Sequence, residues 1–376
     1  MNQPTTRIVR LPAKAGQRLL VTSDIHGHPD HLRGVLSKAD FGGDDLLIVV
    51  GDIVEKGPDS LGALRSVMAL AKEGRALALI GNVDAYRLHM IDTLTADTAE
   101  DFYGYLCELQ EWCGSSFYAE MARECGYTLS SAEDVLRAKE DVISHFAPEF
   151  DFLASCPTAA QIGNYVFVHG GLQHAELDQN ESCGVFALTK YDAFADRTPH
   201  TFPFWVVSGH WPTALYSDTI QQFDPVFEHE KHIISIDGGC GIKREGQLNL
   251  LILPDADCSV DEIRHIRYDT LPIIRALEPQ SASTDSVHIH WGQNEIRILS
   301  RGEEFSEILH LHSKRTVTVP NKYLFSDTAC RDYTDYHHEV KEGDVLSLYK
   351  ITSRGCIVKK DGMMGWYCGK YEMAEP

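Results

Sequence analysis

The 376-residue sequence lacks any run approaching about 18 consecutive apolar residues, the length a membrane-spanning helix needs. Its first fifteen residues, Met1 to Ala15, hold no apolar segment of the kind that directs secretion. Ten cysteines are present without one Cys-x-x-Cys pair, which excludes a zinc ribbon or a thioredoxin-type redox motif. Thiols scattered through apolar segments fit a reduced, cytoplasmic protein. Positive charge is also scarce: 34 Lys+Arg against 55 Asp+Glu leave a net charge of −21. That field repels duplex nucleic acid and acidic membranes. A small phosphorylated ligand stays compatible with it, because metal ions invert the local sign.

What the chain does have is enough apolar material to fold. At 43% hydrophobic and 24% charged residues it is ordinary globular composition, and its length implies two or three domains. Short apolar runs recur, each ending in a polar or glycine-rich turn. Leu19–Val21 meets Ser23-Asp24, Leu46–Val50 meets Gly51-Asp52, and Ala76–Ile80 meets Gly81-Asn82. Tyr165–Val168 meets His169, Phe204–Val207 meets Ser208-Gly209-His210, and Ile233–Ile236 meets Asp237-Gly238-Gly239. These runs are too short for helices and suit strands buried on both faces. Helical patterns lie between the first three, with Pro29 opening one and Asp59 capping another. The grammar is α/β.

From about 98 to 146 the period becomes helical, and Ser130-Ser131-Ala132-Glu133 has capping-box spacing, so a helical insertion is expected there. The first domain is expected over 1–277. Glu278–Thr284 reads as a polar, proline-bearing linker. Residues 286–376 read as a small all-β domain of short alternating strands, with Asp361-Gly362 as a hairpin turn. In that tail, His288 with His290 and His310 with His312 alternate, so each pair shares a strand face. A metal site there is the minor reading, as is an aromatic groove from Trp366 and Tyr367.

The chemistry concentrates where strands end. Asp24, His26, Asp52, Asn82, His169 and His210 each follow a predicted strand, the edge at which open α/β sheets build sites. Carboxylate, amide and imidazole donors without cysteine suit manganese, with iron or zinc as alternatives. One aspartate can bridge two ions about 3.5–4 Å apart, and such pairs clamp phosphoryl groups.

The set DIHG (24–27), GDIVEKG (51–57), GNVD (81–84), VHGGL (168–172), SGHWP (208–212) and IDGGC (236–240) resembles the calcineurin-type metallophosphoesterases. It is most similar to the phosphoprotein phosphatase branch and its bacterial relatives, which include diadenosine tetraphosphate hydrolases. The resemblance covers roughly residues 18–255. It implies an αββα β-sandwich flanked by helices, and the GDVLSLYK…VKKDGMMGWY tail resembles a bacterial SH3-like barrel able to take a peptide partner. It further implies that Asp24, His26 and Asp52 hold a first divalent ion, and that Asp52 bridges to a second held by Asn82, His169 and His210. Hydroxide generated there would attack phosphorus in line, with Lys56, Asp84 and Arg87 completing the catalytic set.

This chain departs from the family pattern in three places. The family has a histidine after Gly-Asn that protonates the leaving oxygen, held by an aspartate; here Val83, Glu55 and Lys56 stand at the corresponding positions. Valine donates no proton, which favours substrates with good leaving groups. Arg87 is a candidate for the fork that Lys56 lacks. His28, His31 and His174 are candidate replacement donors. The expected activity is a serine/threonine protein phosphatase, with a phosphodiesterase or dinucleoside polyphosphate hydrolase as the alternative. A metal-binding scaffold without turnover is the second alternative.

Overall fold

In the computed structural model, which describes residues 1–374, the short apolar runs are strands. The first unit comprises Met1–Pro212 and Pro225–Tyr268. Its strands are β1 (Ile8–Leu11), β2 (Leu19–Thr22), β3 (Leu46–Val50), β4 (Ala76–Leu79), β5 (Ala159–Ile162) and β6 (Tyr165–Val168). They continue with β7 (Trp205–Ser208), β8 (Val226–Glu228), β9 (Ile233–Ser235), β10 (Leu248–Leu253) and β11 (Arg264–Tyr268). They form two mixed sheets, ordered β11-β10-β2-β3-β4 and β1-β5-β6-β7-β9-β8. The two-residue period of a strand explains why both faces of β2 and β3 are apolar. Leu19, Val21, Ile48 and Val50 pack with Ile162, Tyr165, Phe167 and Val207 of the other sheet. Leu20, Leu47 and Val49 point the opposite way, into a core with the helices. This is the αββα sandwich.

The helices are α1 (Pro29–Lys38), α2 (Ser60–Lys72), α3 (Asn82–Asp92), α4 (Ala99–Cys113), α5 (Phe117–Glu124), α6 (Ala132–His145) and α7 (Ala147–Ser155). Two short ones follow, α8 (Val185–Thr189) and α9 (Phe194–Arg197). Asp59 caps α2 by accepting from Gly62 N at 2.8 Å. The cap of α6 falls one residue later than its sequence spacing suggests. Ser131 accepts from Asp134 N, while the Asp134 carboxylate takes Ser130 N, so Ser131 rather than Ser130 is the N-cap. Helices α4 to α6 are the expected insertion. No helix among the described residues is long and apolar enough to cross a membrane.

The second unit comprises Thr213–Asp224 and Asp269–Pro376. Its five-stranded antiparallel sheet includes Ile273–Ala276, which pairs with Val345–Thr352 and with Tyr371–Ala374. The stretch read as a linker is laced into this unit. Gln280 bridges to Val340, and its side chain donates to the carbonyls of His338 and Trp366. Trp366 and Tyr367 are core residues, with the Trp366 indole donating to Thr334 O at 3.1 Å, so they line no groove. Of the tail histidines, His290 and His312 both face the Asp218 carboxylate, with Nε2 atoms 3.0 and 3.8 Å from its oxygens. His310 is engaged by Ser313 and Gln293 O, and among the described residues only Asp24, His26 and Asp52 bring three ligand atoms within 4.8 Å.

Burial holds the His338 imidazole down at about 4, below its ordinary value of 6.5. The unfolded chain therefore takes up a proton near pH 6.5 that the folded unit refuses, and stability falls as pH drops through that window. Between pH 7 and pH 5 the loss from this group is about 2 kcal/mol. His338→Gln is expected to shrink the pH 7-to-5 drop in unfolding free energy by that amount in denaturant titrations. An identical drop in both proteins would show that His338 charges freely inside the fold.

Candidate metal centre

Six side chains meet above the strand ends of the first unit. Asp24 and His26 follow β2, Asp52 follows β3, Asn82 opens α3 after β4, His169 follows β6 and His210 follows β7. The connecting loops are zipped together by Asp24 N to Gly51 O (3.0 Å), His26 N to Asp52 O (3.0 Å) and Gly27 N to Ile53 O (2.9 Å). Asp24, His26, Asp52 and His210 all adopt left-handed backbone, with φ of 54°, 46°, 52° and 67°. Such conformations cost about 1–3 kcal/mol each and persist where surrounding contacts over-determine them. Two glycines make the close approach feasible. A Cβ on Gly81 would lie 2.1 Å from an Asp52 carboxylate oxygen, and one on Gly209 would lie 2.4 Å from Asp24 Oδ2.

The donors form two groups that share one residue. Asp52 Oδ2 lies 3.6 Å from His26 Nε2, which is 3.8 Å from Asp24 Oδ1. Asp52 Oδ1 lies 3.4 Å from His169 Nε2. Asn82 Oδ1 sits 2.9 Å from His169 Nε2 and 2.9 Å from His210 Nδ1. Each imidazole has its other nitrogen occupied. His169 Nδ1 faces Val50 O at 2.8 Å, His26 Nδ1 faces Val54 O at 3.3 Å, and His210 Nε2 faces Asp192 Oδ1 at 2.8 Å. With the outer nitrogen donating its proton, the inner nitrogen can offer a lone pair once a cation takes the place of any proton there, the arrangement that metal-ligating histidines use.

The electrostatics ask for a cation. Asp24 Oδ1 is buried and has no hydrogen-bond partner. Burial raises Asp24 above the ordinary carboxylate range. Burial also opposes ionisation of Asp52, yet the neighbouring His169 and His26 hold it far below that range. Burial lowers His169, but the charges of Asp52 and Asp24 outweigh it and raise the imidazole to about 10. Protons thus stand where divalent cations fit. Asp237, after β9, is a further buried carboxyl driven well up by burial and by the charge of Asp24.

The remaining candidates lie around this centre. Lys56 Nζ is 3.4 Å from His26 Nε2. Asp84 accepts from Ile53 N, Val54 N and Gly81 N at 3.0–3.1 Å, clamping the Asp52 loop onto α3. Arg87 is buried; its Nε lies 3.5 Å from Glu55 Oε1 and its guanidinium sits 4.2 Å over the Tyr105 ring. Glu55 also accepts from Phe117 N at 3.1 Å and lies 3.3 Å from the Tyr105 hydroxyl. Val83 is buried, its N–H given to Asp52 Oδ1 at 2.9 Å. His28 Nδ1 is tied to His26 O at 2.6 Å, His31 lies edge-on to His28, and the backbone N of His174 donates to Asn180. Asp192 and Tyr105 went unseen in the sequence, since each reaches the site across a loop or helix that no motif marks.

A symmetrical bis(5'-nucleosyl)-tetraphosphatase of Edwardsiella ictaluri is 37% identical over 83 residues, 22% of this chain and 29% of that protein. One of Shewanella sp. (strain MR-7) is 25% identical over 233 residues, 51% of this chain and 83% of that protein. Serine/threonine-protein phosphatase 1 of Salmonella typhimurium is 39% identical over 83 residues, 22% of this chain and 37% of that protein. The chain thus spans under two thirds of the Edwardsiella and Salmonella proteins and most of the Shewanella one. Residues 17–233, more than half of the chain, match the family model described as calcineurin-like phosphoesterase, and the chain belongs to that family.

Proposed function

We propose that this protein hydrolyses dinucleoside polyphosphates, using two divalent cations held by Asp24, His26 and Asp52 on one side and by Asp52, Asn82, His169 and His210 on the other. The observation that carries the reading is the pair of Asp52 oxygens, each turned to a different donor group. The nitrogen and oxygen donors fit manganese first, then iron or zinc. When bound, such a pair supplies Lewis acidity and a water-derived nucleophile at neutral pH.

The chain's own residues do the rest. Asp52 sets the spacing of the two ion sites, and Asp84 holds the Asp52 loop on α3 as a positioning residue. Lys56, beside His26, offers charge to phosphoryl oxygens. Arg87 lies one turn along α3 from Val83, and its ion pair with Glu55 fixes its fork. The expectation of a phosphoprotein substrate gives way here to the alternative. Val83 provides no proton to a departing alkoxide, whereas a nucleoside phosphate leaves without one. Two of the relatives above are named for tetraphosphatase activity. A phosphoprotein stays the second reading on the strength of the Salmonella relative.

With manganese present, diadenosine tetraphosphate is expected to turn over faster than a phosphoserine peptide at equal concentration; the reverse order would restore the phosphatase reading. Asp52→Asn is expected to drop bound manganese from two ions per chain to below one in elemental analysis, with activity down by at least about 10³. Retention of both ions would remove Asp52 as the bridge. Val83→His is expected to speed alkyl phosphate cleavage by up to about 10²-fold while leaving aryl phosphate nearly unmoved. Equal gains on both would mean that proton transfer does not limit the reaction.

A further inference from the structure

Next to the metal centre is a cavity of about 320 Å³, at the lower end of the volumes that small-molecule sites occupy. Asn82, Ala85, Tyr86 and His89 line it from α3, and Val185 and Phe186 line it from α8. Positions 82, 85, 86 and 89 follow the three- and four-residue spacing of one helix face. The cavity therefore begins at a metal ligand and runs along the helix away from it. Tyr86 stands one turn, about 6 Å, along the axis from Asn82. Ala85 leaves the space between them open.

Both aromatic rings are held out to solvent. Tyr86 is 55% exposed and Phe186 is 67% exposed, the latter among the most exposed large apolar side chains of the described residues. Neither ring is explained by the core, and both line the same cavity. The backbone of α8, which carries Phe186, is tied down next to the centre. Gly170 N and Gly171 N, directly after the ligand His169, donate to Leu188 O at 2.9 and 3.2 Å, and Gln173 donates to Ala187 O at 2.7 Å. A Cβ on Gly170 would sit 2.5 Å from the Thr189 carbonyl carbon, so the second residue of the His-Gly-Gly turn must be small for α8 to dock. The loop that presents His169 thus also presents Phe186. On α3, the Arg87 guanidinium lies 5.3 Å from the Tyr86 ring centroid.

We infer that this cavity is a nucleobase subsite: Tyr86 and Phe186 offer their faces to the base of a nucleotide whose phosphates lie at the Asn82 end. The inference rests on the dinucleoside polyphosphate reading for its physiological ligand, but not for its test. Stacking on an aromatic face tolerates any base and is worth about 1–3 kcal/mol per base, roughly 5- to 150-fold in affinity. Because both rings are solvent-exposed, the low end of that range applies here. His89, at the far end of the helix face, reaches the region of the base edge.

The test is equilibrium binding by calorimetry to the full chain loaded with manganese, comparing AMP with ribose 5-phosphate. AMP is expected to bind about 5- to 30-fold more tightly. In the double variant Tyr86→Ala/Phe186→Ala that ratio is expected to collapse to near one, with metal content and melting temperature confirming a folded, loaded protein. Single Tyr86→Leu and Phe186→Leu variants, which keep bulk but remove the ring, are expected to fall between. Equal binding of AMP and ribose 5-phosphate by the wild-type protein would overturn the subsite, as would tighter binding of O-phosphotyrosine than of AMP. Preference for AMP without hydrolysis of diadenosine tetraphosphate would instead retire the proposed substrate while leaving the base platform standing.

Discussion

The structure turns on a cluster of buried acids that has too little positive charge of its own. Asp24, Asp52, Asp84 and Asp237 are all buried, Asp84 in the first turn of α3 and the others in the loops over the strand ends. Taking one carboxylate out of water costs several kcal/mol even after relaxation, and like charges at close range add to that. Lys56 reaches the cluster at His26, and Arg87 is committed to Glu55. The polypeptide balances the remainder by letting Asp84, Asp237 and Asp24 ionise less readily and His169 hold its proton more tightly. Divalent cations answer the same imbalance more completely, because each brings two charges to oxygens already stripped of water. The fold therefore stores an electrostatic demand that its ligands resolve.

That demand is met only because the backbone holds it. Four of the candidate ligands sit in left-handed conformations, and none of them is glycine. Each would relax in isolation. The loops after β2 and β3 share hydrogen bonds, Asp84 takes three backbone N–H groups, and Gly81 and Gly209 admit carboxylates where a Cβ would collide. Beneath them, β2 and β3 are apolar on both faces and buried between layers, so the strand ends move little. Rigidity in the sandwich is what permits strain above it.

Much of this was legible in the sequence because the signals are local. A run such as Leu46–Val50 ending at Gly51-Asp52 states both the strand and the residue that emerges from it. The places of the six candidate ligands just past strand ends follow from that rule. What stayed hidden depends on distant contacts. Asp192 orients His210 from a loop with no periodicity, and Tyr105 reaches Glu55 from the middle of α4. Glu278–Thr284 has linker composition, yet Gln280 pairs with Val340 through its backbone, and backbone pairing leaves little trace in residue type. Trp366 and Tyr367 were ambiguous between groove and core for a similar reason. An alternating strand says which residues share a face, not what covers it.

The replacement of the family's acid and histidine shows how one change can be absorbed. Glu55 is a longer acid than the aspartate it replaces, and Val83 cannot bond to it. A buried carboxylate left alone there would be costly. Instead Arg87, one turn further along α3, brings its charge to Glu55, and the insertion supplies Tyr105 and the N–H of Phe117. The cluster is satisfied without any group that can hand a proton to a leaving oxygen from the position of Val83. With Val83 at that position, the side chains around Glu55 offer from there none of the proton donation that a poor leaving group needs.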